Sequence, residues 1–361
     1  MDLTIPRQLV TKLFSESGRK RLRRVQINSY VFFESMMKPF LRKFSSRIFL
    51  TYDSGQKQDG TGAQIQRLFG IFALSKEFGL GYISTPIQNV AIHPLDPFQS
   101  PIELENFLKT LNREFQLPST LSDLTPDIHE IQLDLKSISS LFKMALLSLV
   151  FNRRYLIKIT EPYSVIDHWP NSYRRATASL ENWDSDCRPL LKEETFLVVL
   201  HYRRGVGGMA IQQGERYPRE IAISYYKNWL TQILKDAKAQ IEIKVIILTD
   251  APIQDTTYIP IAGQEKLWKG SPGFEGGTMS ILGSDLEKEF SDIEIDLQII
   301  SGGSPIDAIK LMSQADALVM SRSSLSYIGA LLNLRGEIIY PPGFWHPKLN
   351  GWIEGGTDAP F

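Results

Sequence analysis

The residues best suited to chemistry lie at 196–208, FLVVLHYRRGVGG, where an apolar run ends in His201, Tyr202, Arg203 and Arg204. Arginine is always charged, and its planar fork matches the oxygens of a phosphate. Two further stretches in the same half of the chain suit an anion. In ISGGSPID, two glycines precede a helix start with Ser304 as N-cap and Pro305 as first helical residue. In MSRSSLSY, Ser321, Ser323 and Ser324 gather at another helix start. Helix N-termini expose free N–H groups and a partial positive charge, which favour phosphate. Taken singly, an Arg pair in a turn is usually solvated, and serines at a helix start are usually caps. Their conjunction at three strand ends points to a pyrophosphate site.

The elements that must position these residues alternate in type. In the second half, strands are expected over 195–203, 242–252, 296–303, 316–323 and 336–345, with helices over 218–237, 304–315 and 324–334. Pro218 is expected in the first turn of its helix. In the first half, RIFLTY at 47–52 reads as a strand and DSGQKQDGTGAQ as a Gly-rich loop. A helical apolar period follows over 65–80. A strand over 80–87, an irregular stretch over 94–140, a helix over 137–151 and a strand over 154–160 complete that half. Strands alternating with helices imply parallel sheets with helical crossovers, hence an α/β protein with two Rossmann-like domains facing across a cleft. The expected division is a basic extension over 1–46, an N-terminal domain over 47–190, a C-terminal domain over 191–345 and a tail over 346–361.

These residues also carry a family resemblance. LHYRRGVGG resembles the H-x-R-R-G-D motif of the fucosyltransferase superfamily, which includes the α-1,2-, α-1,6- and protein O-fucosyltransferases. AISYYKNWL at 222–230 resembles the Tyr-Tyr segment that follows that motif in the α-1,2 group. IDAIKLMSQADALVMSRSSLSYIGALLN at 306–333 resembles the third motif of that group, and DGTGAQIQRLFGIFALS its N-terminal glycine segment. The chain departs from the pattern at Val206, Ala63, Arg322 and Tyr327-Ile328. The resemblance implies a GT-B-like fold and an inverting transfer of fucose from GDP-fucose to a hydroxyl of a glycan acceptor. No metal and no cofactor is required. Arg203 and Arg204 would meet the diphosphate, with Ser323 and Ser324 donating to it and Gly60, Gly62 and Gln64 beside the donor. His201 would line the nucleotide pocket, or else pack at the strand end. Asp307 would accept from the guanine edge, or else support the first helical turn. Asp59 and Glu215 are the two candidates for the general base, either of which also reads as a solvated loop acid. Another nucleotide-sugar donor, or a non-catalytic nucleotide- or glycan-binding role, stays open beside this reading.

Composition narrows the partners. The 361 residues hold 40 Lys+Arg and 40 Asp+Glu, so bulk charge predicts no nucleic-acid partner. The single cysteine, Cys187, excludes a disulfide framework and suits a cytoplasmic setting. The five histidines, at 93, 129, 168, 201 and 346, have no metal-ligand spacing. Asp184-Ser185-Asp186 has the D-x-D form of metal-dependent sugar-nucleotide enzymes, but it follows no buried strand. No run of 18 apolar residues occurs. Residues 1–50 are the exception in charge, with eleven Lys/Arg against three Asp/Glu. That arm suits either peripheral contact with an anionic membrane or packing of its apolar residues on the body, and the three Phe at 32, 33 and 40 favour packing.

Overall fold

Strand β1 (Ile48–Tyr52) is buried along its whole length, as a central parallel strand must be. It pairs with β2 (Gly81–Tyr82) on one side and β4 (Arg154–Ile159) on the other, and β4 pairs with β3 (Ile128–Leu133). The order β2-β1-β4-β3 is wholly parallel. Helices α1 (Thr61–Phe78), α2 (Pro101–Glu114) and α3 (Ile138–Val150) make the crossovers. The second sheet has the order β12-β8-β5-β13-β14-β15 and is also parallel throughout. Its strands are β5 (Thr195–Tyr202), β8 (Glu242–Thr249), β12 (Leu297–Ser301), β13 (Ala317–Val319), β14 (Glu337–Tyr340) and β15 (Ile353–Glu354). Helices α4 (Ile223–Asp236), α5 (Leu286–Glu289), α6 (Pro305–Gln314) and α7 (Ser324–Leu332) accompany it. The two Rossmann-like layers are therefore those the alternation of strands and helices implies.

This computed structural model describes residues 36–356, apart from 57–58, 94, 121–126, 136–137, 204–208, 213–214, 219–220, 238–241, 260–273, 282–284, 294 and most of 163–194, where Asp167, Tyr173, Thr177 and Leu180 are described.

Several elements differ from the sequence expectations. Helix α1 starts at Thr61, so Gly62 and Gln64 belong to a helix and not to a loop; Gly60 is its N-cap. The strand expected over 80–87 shrinks to β2. The stretch 94–140 is not irregular. It holds α2, which begins in a capping box: Glu103 N–H donates to Ser100 Oγ at 3.3 Å, and Ser100 N–H donates to Glu103 Oε2 at 2.9 Å. It also holds β3. Pro218 ends a strand and does not start a helix. It closes β7 (Glu215–Pro218), which forms an antiparallel hairpin with β6 (Met209–Gln212), and α4 begins only at Ile223. A small antiparallel sheet of β9 (Thr256–Tyr258), β10 (Phe274–Glu275) and β11 (Thr278–Ile281) was also not foreseen. Its strands are two to four residues long, too short for an alternation to declare itself.

The lobes share one apolar core. All of α1 except Ala63 and Lys76 is buried, and a helix buried on every side needs cover on every side. The β1 layer covers one face and α7 the other. The core therefore runs from Ile48, Phe69 and Phe72 in the first lobe to Leu197, Val199, Met312 and Tyr327 in the second. Alternate residues of β5 (Val198, Leu200 and Tyr202) face a separate cluster beneath α4. Packing also passes the expected boundaries. Met37, Leu41 and Phe44 are core residues, and Phe40 meets Phe44 and Phe142 with ring centroids 4.9 and 4.8 Å apart. At the other end Leu349 and Trp352 join the core, and β15 extends the second sheet.

Candidate functional site

In an open parallel sheet, a ligand site forms where neighbouring strands send their connections in opposite directions. From β5 the second sheet grows outward through β8 to β12; it then returns to the other side of β5 with β13 and grows through β14. The reversal lies between the carboxyl ends of β5 and β13. Arg203 follows the first of these and Ser321 to Ser324 follow the second.

The structure brings these groups into contact. Arg203 Nη1 donates to Ser323 Oγ at 2.6 Å, and its Nε lies 3.8 Å from Asp250 Oδ2. Asp250 follows β8, the other neighbour of β5, so three strand ends converge on one guanidinium. Ser323 is the N-cap of α7 and accepts from Leu325 N–H at 3.2 Å. The arginine is thus tied to the helix start that sequence reasoning marked as an anion site. Ser324 is the first residue of that helix and is partly exposed. His201 is buried one step below. Its Nδ1 lies 2.7 Å from Ser321 Oγ. Burial, with the neighbouring Arg203 charge, lowers its pKa to about 4, so the ring is neutral at pH 7. That arrangement fits the packing alternative for His201 and sets the Ser321 hydroxyl beneath the helix start.

The first lobe carries a second charged cluster at its strand ends. Its own reversal lies between β1 and β4, and a buried Arg67 sits at their carboxyl ends. Its Nη2 pairs with Asp59 Oδ2 at 2.5 Å and with Glu161 Oε2 at 3.2 Å. Asp59 thus pairs with a buried guanidinium while its own carboxylate stays partly exposed. Gly62 is pressed against α7: a Cβ there would stand 2.4 Å from the Leu325 nitrogen. Only glycine lets the two helix starts approach so closely. A Cβ at Gly60 would stand 3.2 Å from His93 Nε2. Gln64 is a correction. It is fully buried and accepts from the Tyr52 hydroxyl, so its side chain holds α1 to β1.

A second bridge between the lobes was missed. The turn at Leu95 docks on the glycine pair after β12, where Gly303 N–H donates to Leu95 O at 3.3 Å and a Cβ on Gly302 would strike Leu95. This turn presents Asp96, whose Oδ2 accepts from His93 N–H at 2.7 Å. Burial pushes the Asp96 pKa up to about 7; the His93 N–H and Arg203 oppose the rise, and the Asp250 charge adds to it. Asp96 and Asp250 thus both interact in charge with Arg203, and sequence spacing signals neither. Ser304 caps α6 without a side-chain bond, and Asp307 is exposed in that helix's first turn.

Other sequence candidates lie elsewhere. Arg204 and Val206 are outside the described residues, as are Asp184 and Asp186. Glu215 opens β7; its side chain is outside the described residues. Arg322, where the motif has Asn, turns from the site and donates through Nε to Pro342 O at 2.7 Å. Tyr225 and Tyr226 are buried behind β5, with Tyr226 edge-on to Tyr202 at 5.1 Å. Among the described residues, no three His, Cys, Asp or Glu gather as metal ligands would.

No family model matches the chain, and no curated protein matches it. Solved structures do. The NodZ alpha-1,6-fucosyltransferase soaked with GDP-fucose matches at 10% identity over 79% of this chain and 92% of that one, with a TM-score of 0.38. NodZ from Bradyrhizobium in its Se-Met form matches at 11% with a TM-score of 0.33, over 79% and 92% of the two chains. E. coli heptosyltransferase WaaC with ADP-2-deoxy-2-fluoro heptose matches at 12% over 85% and 92%, with a TM-score of 0.31. Likeness at this level assigns no function.

Proposed function

We propose that this protein is a glycosyltransferase of the GT-B type that binds a nucleoside diphosphate sugar at the β5–β13 reversal and transfers the sugar to a hydroxyl of a glycan acceptor. One observation carries the reading: Arg203 is held by the N-cap serine of α7, so a guanidinium and a helix N-terminus meet at a topological switch point. The motif resemblance makes GDP-fucose the first donor to test.

The chemistry follows from the charges. When the acceptor oxygen attacks the anomeric carbon, the bond to the diphosphate breaks and the leaving group takes the electron pair. The charge that develops on the β-phosphate needs cationic or dipolar groups already in place. In this reading Arg203, the α7 N-terminus and Ser323 would meet that charge, with Ser324 and Arg204 as further donors and Asp307 for the guanine edge. Attack from the face opposite the diphosphate inverts the anomeric centre. The hydroxyl proton passes to a carboxylate. Asp59 and Glu215 are the candidates drawn from sequence, and Asp96 joins them because a pKa of about 7 suits a base working near neutrality.

Calorimetry with GDP, ADP, UDP and CDP tests the nucleotide. Tight binding of GDP alone supports the fucosyl reading; preference for another diphosphate keeps the enzyme class and changes the donor. Binding without hydrolysis or transfer of any donor sugar would leave a non-catalytic binding protein. With side chains and a helix terminus in the electrostatic role, turnover is expected to persist in a strong chelator. Loss on chelation with rescue by Mn²⁺ or Mg²⁺ would return attention to Asp184 and Asp186.

A further inference from the structure

Helix α3 ends in an apolar surface that nothing described covers. Leu146, Leu147, Leu149, Val150 and Phe151 are all exposed, Val150 at 75% and Phe151 at 56%. Leu146, Leu149 and Val150 continue the stripe on which Phe142 receives Phe40. Five large apolar side chains within six residues form a contiguous patch, unlike the scattered exposed apolar residues of ordinary surfaces. Basic residues surround it. Lys143 and Arg153 are exposed on the same segment, and Arg42 and Lys43 are exposed on the turn beside it. Arg47 fastens the two segments, donating to Ser148 O at 3.2 Å and to Asn152 Oδ1 at 3.0 Å. Residues 36–47 and 138–154 contain no Asp or Glu; of their seven Lys or Arg, Lys38 pairs with Glu77 and Arg154 with Asp127 of neighbouring elements, which leaves, besides Arg47, Arg42, Lys43, Lys143 and Arg153 as the rim. The patch sits at the amino ends of the central strands β1 and β4, at the opposite end of the first sheet from Asp59 and Glu161.

We propose that the carboxyl end of α3 and its basic rim dock this protein on an anionic lipid bilayer, with Leu149, Val150 and Phe151 entering the interface. Apolar tips ringed by lysine and arginine are what a negatively charged interface binds. Charge decides against the other occupants. A second copy placed by a two-fold axis would bring the same positive rim against itself. The seven Lys/Arg of the chain before residue 36 all lie at 7–24 and share the sign of the rim. Among the described residues no helix is long and apolar enough to cross a bilayer, so the attachment is to the surface.

The test uses the full chain with phosphatidylcholine vesicles, with and without phosphatidylserine. Binding should need the anionic lipid and weaken as salt rises. The double variant Val150→Glu, Phe151→Glu should bind at least about tenfold more weakly. Lys143→Glu with Arg153→Glu should lose about as much, since each basic side chain near the surface contributes about fivefold. Both variants should melt with the parent, because the substituted side chains are exposed. Equal vesicle binding by parent and variants, or no binding by the parent, overturns the proposal. So does a lower melting temperature in the apolar variant, which would mean that the chain itself covers the patch. Conversion of a dimer to a monomer by that variant would assign the surface to a second copy and overturn it equally.

Discussion

Arg203 is anchored before any ligand arrives, by Ser323 at 2.6 Å and by the Asp250 charge at 3.8 Å. Such an arginine presents its remaining N–H groups in a fixed direction, which a lysine in its place would not do. Arg203→Lys is therefore expected to lower kcat/KM by on the order of 10²-fold, about 2–3 kcal/mol of transition-state stabilisation, with little change in thermal stability. Near-normal turnover would remove Arg203 from the leaving-group site. Asp96 makes a second prediction through its pKa of about 7. A raised carboxyl pKa means that the folded protein binds a proton which the unfolded chain has released. Stability from this group is then full below pH 4 and lost as pH rises through 7. Asp96→Asn should flatten that decline, and urea unfolding at pH 5 and pH 8 measures it. If Asp96 is the base, the same variant also loses turnover, and the parent's kcat/KM climbs up to about pH 7. A variant with normal turnover and the flattened profile would make Asp96 a lobe contact only. His201 acts in the opposite sense: its lowered pKa removes stability as pH falls from about 6.5 towards 4.

At the scale of elements, the packing of α1 against α7 sets the site. The first turns of the two helices touch at Gly62, where a Cβ would overlap the Leu325 backbone. Gly62→Ala must push the helices apart. Overpacking of this kind costs about 1–3 kcal/mol. Because α7 carries Ser323, nucleotide affinity should fall together with stability, as denaturant titration and calorimetry on one preparation would show. An alanine variant with unaltered stability would mean that the helices separate in solution. The carboxyl end of α7 is fixed differently. Asn333 donates to Met312 O and Ala315 O at 3.1 and 2.7 Å and accepts from the Gly336 N–H at 2.7 Å. The Asn that closes the third motif thus has a structural duty, binding the α7 exit to the end of α6.

At the scale of the whole molecule, the shared core makes the lobes interdependent. Leu41 is fully buried and Phe44 nearly so, and burial of a Leu or Phe side chain is worth about 1.5–3 kcal/mol. Deleting residues 1–46 should therefore cost at least about 3–6 kcal/mol, a large part of the net stability of a domain. A chain starting at residue 36 keeps these contacts. Melting temperatures of the two truncations would compare them. A stable, soluble protein lacking 1–46 would show that the segment around Phe40 is dispensable.

Local pattern was enough to read the parallel strands and most of the crossover helices. The reasons are local too: β-branched runs favour strands, a 3.6-residue apolar period favours helices, and Ser304-Pro305 and Ser323 are helix starts in any context. Helix α2 carried a signal that the expectation of an irregular 94–140 passed over, since Ser100-Pro101-Ile102-Glu103 is a capping box in plain sequence. What tertiary structure decided was which groups meet. Gln64, read as a donor contact, went into the core because α1 begins four residues earlier than its apolar period. Asp59, a candidate base or a solvated loop acid by sequence, met Arg67 because β1 and β4 end side by side. Asp96 and Asp250 entered the site from turns with no motif, brought there by strand order and by the docking of Leu95 on Gly302. Strand order and lobe contact depend on the burial of whole faces, which no short window of sequence contains.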